Sequence, residues 1–244
     1  MGAGSSQGPV TDRDVRTTHR DVSAAGCDVS IVVPVKNEQD SVPILAGEIT
    51  SAFEGQGRSW ECIWVDDGST DGTLAVLKKL HEEDGRHHFA AHDRNHGQSA
   101  ALFTGARLAR GSIIATLDGD LQNDPSDLPG LVAALESSEY DMVNGVRSTR
   151  RDTFLRRASS RIANAFRNRM TGKTATDVGC AVRVFYRECL EGVPLFRGTH
   201  RFLPTLIAAR GYRLTELPVN HRPRVHGRTS YGVHNRLWVG IADT

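Results

Sequence analysis

A chain of 244 residues, 39% hydrophobic and with a formal net charge of +1, is long enough for one sizeable α/β domain with its own core. No run of about 18 apolar residues is present to span a bilayer, and the N-terminus lacks the apolar stretch of a secretory signal. The four cysteines (Cys27, Cys62, Cys180, Cys189) have no C-x-x-C spacing. That argues against a zinc or disulfide framework and fits a reducing cytoplasm.

Residues 1–27 are rich in Gly, Ser, Thr and Asp without an apolar period and read as a disordered tail, leaving 28–244 as a single domain. Residues 29–33 are a β-branched run ending at Pro34, the pattern of a buried strand. A helix over residues 41–53 follows, with Ser41 as N-cap and Pro43 in its first turn. Residues 61–65 form a second strand closed by Asp66-Asp67-Gly68-Ser69, and Asp71 caps a helix through Leu74, Leu77 and Leu80. A short third strand over 89–91 and a helix over 98–109 precede a continuous apolar strand, 112–117, that ends on Asp118. After Asp124-Pro125 a helix runs to about residue 136. This alternation predicts an α/β fold with a mostly parallel sheet covered on both faces. Beyond residue 141 the alternation stops, with a basic helix over 153–170 and apolar segments at 182–186 and 214–219.

The near-zero net charge conceals an asymmetry. Residues 1–141 carry 11 Lys+Arg against 23 Asp+Glu, whereas residues 142–244 carry 19 against 6. An acidic half followed by a basic half suggests a cation bound in the first and an anion in the second.

In an open parallel sheet, ligands bind beyond the carboxyl ends of the strands. The polar clusters fall there: Asn37-Glu38 after the first strand, Asp66-Asp67 after the second and Asp118-Gly119-Asp120 after the fourth. Like charges gathered on one edge repel unless a cation or hydrogen-bond donors lie between them. Asp118 and Asp120, at i and i+2, can face one ligand, and Gly119 lets a bulky group approach the backbone. A lone D-x-D also suits a solvated turn; its place after an apolar strand, with companion loops on two others, favours a site. No G-x-G-x-x-G follows the first strand, and Gly172-Lys173-Thr174 lacks the first glycine of a P-loop.

Residues 147–173 hold nine Lys+Arg and one acid, Asp152, while Phe154, Ala158, Ile162, Phe166 and Met170 recur every four residues. Such a helix suits an anionic membrane surface, a phosphate-bearing ligand, or simple packing with a solvated Arg face. Nucleic acid fits poorly beside an acidic first half. Near the end, residues 222–231 combine cations, a glycine and hydroxyls in a mix able to wrap phosphate.

The segments V-V-P-V-K-N-E (32–38), V-D-D-G-S-T-D-G-T (65–73), R-N-H-G-Q-S-A-A-L (94–102) and L-D-G-D-L-Q-N-D-P (117–125) together resemble family-2 glycosyltransferases of the GT-A fold. The D-G-D-L-Q-N-D-P form is similar to polyprenyl-phosphate glycosyltransferases, the group containing dolichol-phosphate mannosyltransferase. The resemblance implies that Asp118, Asp120 and Gln122 hold Mg2+ or Mn2+ and the sugar diphosphate. It also implies that Pro34, Val35, Asn37, Glu38, Asp66, Asp67, Gly97, Gln98, Asp118 and Gly119 bind a UDP- or GDP-linked sugar. Asp177 matches an acidic position near the sugar and, with Arg147, Asp118 and Asp120, makes up the expected catalytic set. Arg147, Arg156, Arg157, Arg224, Arg228, Thr229 and Tyr231 would meet the acceptor phosphate. Arg224, Gly227, Thr229 and Tyr231 match the R-x-x-G-x-S-K-Y segment of the family, but Thr229 and Ser230 replace its S-K, so one phosphate-binding cation is either missing or supplied by Arg228.

The expected activity is inverting sugar transfer from a nucleoside diphosphate to a polyprenyl phosphate, by an enzyme peripheral at the cytoplasmic membrane face. Many relatives carry C-terminal membrane helices, so the chain is expected to be a peripheral member or a piece of a longer one. A family-2 enzyme with a non-lipid acceptor and a sugar nucleotidyltransferase are the alternatives.

Overall fold

The computed structural model of the chain describes residues 15–17, 26–147, 177, 179–196 and 198–223. Eight strands form one sheet: β1 (Val15–Thr17), β2 (Val29–Val35), β3 (Trp60–Asp66), β4 (His87–His92), β5 (Ile113–Thr116), β6 (Met142–Arg147), β7 (Arg183–Tyr186) and β8 (Leu214–Val219). Their spatial order is β1-β4-β3-β2-β5-β7-β6-β8. The pairs β4–β3, β3–β2, β2–β5 and β6–β8 are parallel. The edge strand β1 and the inserted β7 run antiparallel to their neighbours. The expected mostly parallel α/β sheet is therefore present. Within the stretch expected to be a tail, residues 15–17 pair with β4.

The α-helices are α1 (Ser41–Phe53), α2 (Thr73–Glu83), α3 (Gln98–Leu108), α4 (Leu128–Glu136) and α5 (Thr199–Ala209). Strand side chains alternate between the two faces. Ile31, Val33, Cys62, Trp64 and Ala115 join α1 and α4 in one core, while Val32, Ile63, Val65 and Ile114 join residues of α3 and α5 in the other. Both faces are dry, which is why the strands read as continuous apolar runs. Cys62, Cys180 and Cys189 are buried free thiols, and Cys27 is half-buried and free.

Several sequence expectations shift by a residue or more. Asp40, not Ser41, is the α1 N-cap, and the Ser41 hydroxyl instead donates to Glu38 Oε2 at 2.8 Å. Gly72 occupies the α2 N-cap, with Asp71 Oδ1 accepting from Thr73 N at 3.0 Å. β4 is twice the expected length, because His87, His88 and His92 are buried in it. The basic helix expected over 153–170 lies outside the described residues.

His87 gives this core a pH dependence. Trp64 Nε1, which can only donate, reaches His87 Nδ1 at 3.1 Å, and Thr50 Oγ1 sits 3.2 Å from Nε2. The ring is held as a neutral acceptor at Nδ1, and burial pushes its pKa down to about 4. The unfolded chain then binds the proton more readily than the folded one, so stability is full above about pH 6.5 and falls as the pH drops toward 4. Lowering the pH from 7 to 5 should cost about 2 kcal/mol through this residue. Urea unfolding of wild type and His87→Gln at both pH values will show it as a steeper pH slope in the wild type.

Candidate active site at the carboxyl edge of the sheet

The loops after β2, β3 and β5 converge, and the polar side chains there lock them together. Asn37, at φ +55°, accepts from Thr70 N at 2.8 Å and donates its own N–H to Ser69 Oγ at 2.8 Å. Glu38 N donates to Thr73 Oγ1, and Asp66 Oδ1 accepts from Ser69 N at 2.9 Å. Between them Gly68 turns at φ +68°, where a Cβ would lie 2.4 Å from the Arg94 carbonyl carbon, so only glycine fits.

Asp67 binds the third loop. Its Oδ1 accepts from His96 N at 2.7 Å and faces His92 Nδ1 at 2.9 Å, while Oδ2 accepts from Gly97 N at 2.8 Å. Burial opposes the charge, but the hydrogen bonds from His92, His96 and Gly97 outweigh it and hold the carboxyl below its ordinary range. Gly97 caps α3, whose first residue is Gln98, and Gln98 Nε2 donates to Asp118 Oδ1 at 2.6 Å. A continuous chain of contacts thus runs from Asp67 through Gly97 and Gln98 to Asp118.

β5 ends at Thr116, paired with Val32, so β2 continues through Pro34 and Val35 without a strand partner on that side. A proline is tolerated where no ladder bond is required of it. The Asp118–Asp120 loop packs into this gap. A Cβ on Gly119 would come within 2.6 Å of Val35 Cγ1 and 3.3 Å of the Pro34 carbonyl oxygen. Burial and the neighbouring Asp120 charge raise the Asp118 pKa to about 6, opposed by Arg183, Gln98 and Arg147. Asp120 is itself buried, accepts from Gln122 N at 3.2 Å, and is followed by Leu121 at φ +61°.

Arg147 at the end of β6 grips Asp177 with two parallel bonds, Nε to Oδ2 at 2.8 Å and Nη2 to Oδ1 at 2.7 Å. Such bidentate pairs fix orientation as well as charge. The expected catalytic residues Asp118, Asp120, Asp177 and Arg147 are therefore brought to one edge. A cavity of about 300 Å³ is lined by residues that include Pro34, Gln98, Asp118, Cys180, Arg183 and His200. Asn37, Glu38 and Asp66 lie beside it, engaged with neighbouring loops. Arg156, Arg157, Arg224, Arg228, Thr229 and Tyr231 fall outside the described residues.

Reading the sequence missed three members of this lining. α5 was not anticipated because Pro204 sits inside it, breaking the helical signal. Proline has no N–H to give the His200 carbonyl one turn earlier, and Arg183 Nη1 donates to that carbonyl instead. Arg183 is buried, also bonds Asn144 Oδ1 at 3.1 Å, and has its pKa lowered to about 10 by that burial. Arg201 follows His200 at the cavity. A lone arginine amid the apolar run V-R-V-F-Y was the available clue.

Beyond β8, residues 220–222 zip onto the 122–127 loop. Asn220 N donates to Asp127 at 2.7 Å, His221 bridges Asn123, and Arg222 reaches Asp124 at 2.8 Å and Glu48 at 2.7 Å. Arg222 N also donates to the Gln122 carbonyl at 2.7 Å.

The profile of Glycosyl transferase family 2 matches residues 30–193. The chain belongs to that family. It is 40% identical over 210 residues to the dodecaprenyl-phosphate galacturonate synthase of Rhizobium johnstonii, covering 84% of this chain and 62% of the relative. It is 38% identical over 204 residues to the undecaprenyl-phosphate 4-deoxy-4-formamido-L-arabinose transferase of Salmonella paratyphi B, covering 83% and 62%. The chain thus spans about three fifths of the length of these curated relatives. The fold is that of the mannosyltransferase PcManGT from Pyrobaculum calidifontis, solved with GDP-Man and Mn2+, at TM-score 0.63, 21% identity, and 90% and 62% coverage. This glycosyltransferase fold places the D-G-D loop, Gln98 and the cavity at one sheet edge. No helix among the described residues is long and apolar enough to cross a membrane.

Proposed function

We propose that this family-2 chain transfers one sugar from a nucleoside-diphosphate sugar to a polyprenyl phosphate, with inversion, at the cytoplasmic face of a membrane. The observation that carries it is the acidic pair Asp118/Asp120 at a cavity that Arg183 and Arg201 also line. Two relatives that align with more than four fifths of this chain, a dodecaprenyl-phosphate galacturonate synthase and an undecaprenyl-phosphate 4-deoxy-4-formamido-L-arabinose transferase, support the acceptor class.

The residues suit Mg2+ or Mn2+. Burial and the neighbouring Asp120 charge raise the Asp118 pKa, as expected where a cation would be favoured, and carboxylate oxygens with the Gln122 amide are hard ligands. Among the described residues no three His, Cys, Asp or Glu side chains gather to hold a metal alone. Such a site fits an ion that takes its remaining ligands from substrate phosphates. When bound, the ion neutralises the leaving diphosphate. Gln98 orients Asp118, and Asp67 holds the loop that carries Gln98. Pro34, Val35 and Gly119 form the close-packed floor for the nucleotide, with Asn37, Glu38 and Asp66 bracing the surrounding loops. The acceptor phosphate is already anionic at neutral pH, so the chain need only position it. Arg147, oriented by Asp177, begins that task, and Arg156, Arg157, Arg224, Arg228, Thr229 and Tyr231 continue it.

Incubation with a panel of UDP- and GDP-sugars, Mn2+ and undecaprenyl phosphate should yield a lipid-linked sugar and free nucleoside diphosphate. Release of inorganic diphosphate from a nucleoside triphosphate would instead identify a nucleotidyltransferase. Arg147→Ala should raise the acceptor KM by about tenfold, the value of one charge-assisted contact, with donor KM changed less than threefold. An unchanged acceptor KM would remove Arg147 from the acceptor site.

A further inference from the structure

His200 is held more firmly than its half-buried position at the start of α5 requires. Its N–H donates to Ser99 Oγ at 3.3 Å, as does Gly198 N at 3.2 Å. Its carbonyl, left without a helical partner by Pro204, accepts from the buried Arg183. Its ring Nδ1 lies 2.8 Å from the same Ser99 oxygen.

The Ser99 hydroxyl settles the tautomer. Two backbone N–H groups occupy its two lone pairs, so its single proton goes to His200 Nδ1. Nδ1 is thereby an acceptor, and the ring proton sits on Nε2. Burial, with the Arg201 and Arg183 charges nearby, lowers the His200 pKa to about 3, so the ring stays neutral at physiological pH. His200 lines the cavity with Gln98 and Asp118, and its Nε2 has no hydrogen-bond partner among the described residues. A rigid, uncharged N–H donor facing a polar cavity is the arrangement that recognises an oxygen atom on a bound ligand.

Resting on the nucleotide-sugar reading above, we infer that His200 is a donor-sugar binding residue, giving its Nε2–H to an oxygen of the glycosyl group, with Ser99 as its positioning residue. Pro34 and Asp118, placed beside the nucleotide and its metal in that reading, line the same cavity as His200. An uncharged donor suits a sugar hydroxyl, whereas phosphate oxygens are met by cations, so the contact is assigned to the sugar rather than to the diphosphate.

Asparagine and glutamine distinguish this role from a structural one, since both are neutral amides and differ only in reach. His200→Asn keeps a polar group near Ser99 but ends short of the cavity, whereas His200→Gln carries an amide N–H to the Nε2 position. Calorimetric titration with Mn2+ will use UDP, GDP, UDP-galacturonate, UDP-glucose and GDP-mannose as probes. For whichever sugar nucleotide the wild type binds, His200→Asn should weaken binding about tenfold, the worth of one buried hydrogen bond. Binding of the matching nucleoside diphosphate should stay within twofold, and His200→Gln should remain within threefold of wild type for both. Equal losses for nucleotide and sugar nucleotide, no loss for either, or a loss confined to the acceptor KM would each overturn the assignment. Failure of the wild type to bind any probe would overturn the nucleotide-sugar reading itself, a separate and recognisable result.

Discussion

Replacing Asp120 by alanine is expected to lower sugar transfer by at least on the order of 10³-fold while the protein stays folded. Leaving-group charge is the largest electrostatic demand of the reaction, and Asp118 and Asp120 are the acidic pair available to hold a neutralising ion beside the cavity. Asp120 also accepts from Gln122 N, so a local structural effect must be separated from loss of the ion. Asp120→Asn serves that purpose, because its amide oxygen keeps the backbone bond and loses the charge. Both variants should melt within a few degrees of wild type, both should lose Mn2+-dependent donor binding, and both should be inactive. Turnover by Asp120→Ala within tenfold of wild type at saturating Mn2+ would defeat the metal assignment.

The second large effect is expected at Asp67, where a carboxylate does the work of a joint. Asp67→Asn leaves size and shape unchanged but replaces one accepting oxygen with an NH2 group, which must then face the Gly97 N–H or the His92–His96 side. Two buried donors opposed in this way cost about 2–4 kcal/mol. For a chain of this size that is a fall in Tm of about 5–12 °C. Activity should fall further than stability alone explains, because Gly97 precedes Gln98 and Gln98 orients Asp118. The check is to measure donor KM well below the variant's Tm. A stability loss with donor KM unchanged would show that the joint carries the fold but not the site.

The sequence showed most of the first half because one physical rule governed it. Strands buried on both faces must be apolar throughout, so β2, β3 and β5 stand out, and polar residues at their carboxyl ends are conspicuous. What stayed hidden is the use of those polar residues. Asn37, Asp66 and Asp67 have the composition of ligand contacts, yet their bonds are to neighbouring loops, and no local pattern distinguishes bracing from binding. The second half was less readable because its elements are defined by long-range partners. β7 runs antiparallel between β5 and β6, pairings no short window reveals. α5 carries a proline whose cost is met by Arg183, fifteen or more residues away. Ser99 was quoted only as part of a motif, because its three bonds come from residues about a hundred positions later.

The zipper of residues 220–222 onto the 122–127 loop sets a leash. Covalent geometry allows at most about 3.6 Å per residue, so Arg224 can lie no more than about 7 Å from Arg222 and Thr229 no more than about 25 Å. Arg222 is itself tied to Asp124, two residues from Gln122. Arg222→Ala removes both side-chain anchors, to Asp124 and Glu48, while the backbone bond from Arg222 N to the Gln122 carbonyl remains, so the leash should slacken rather than part.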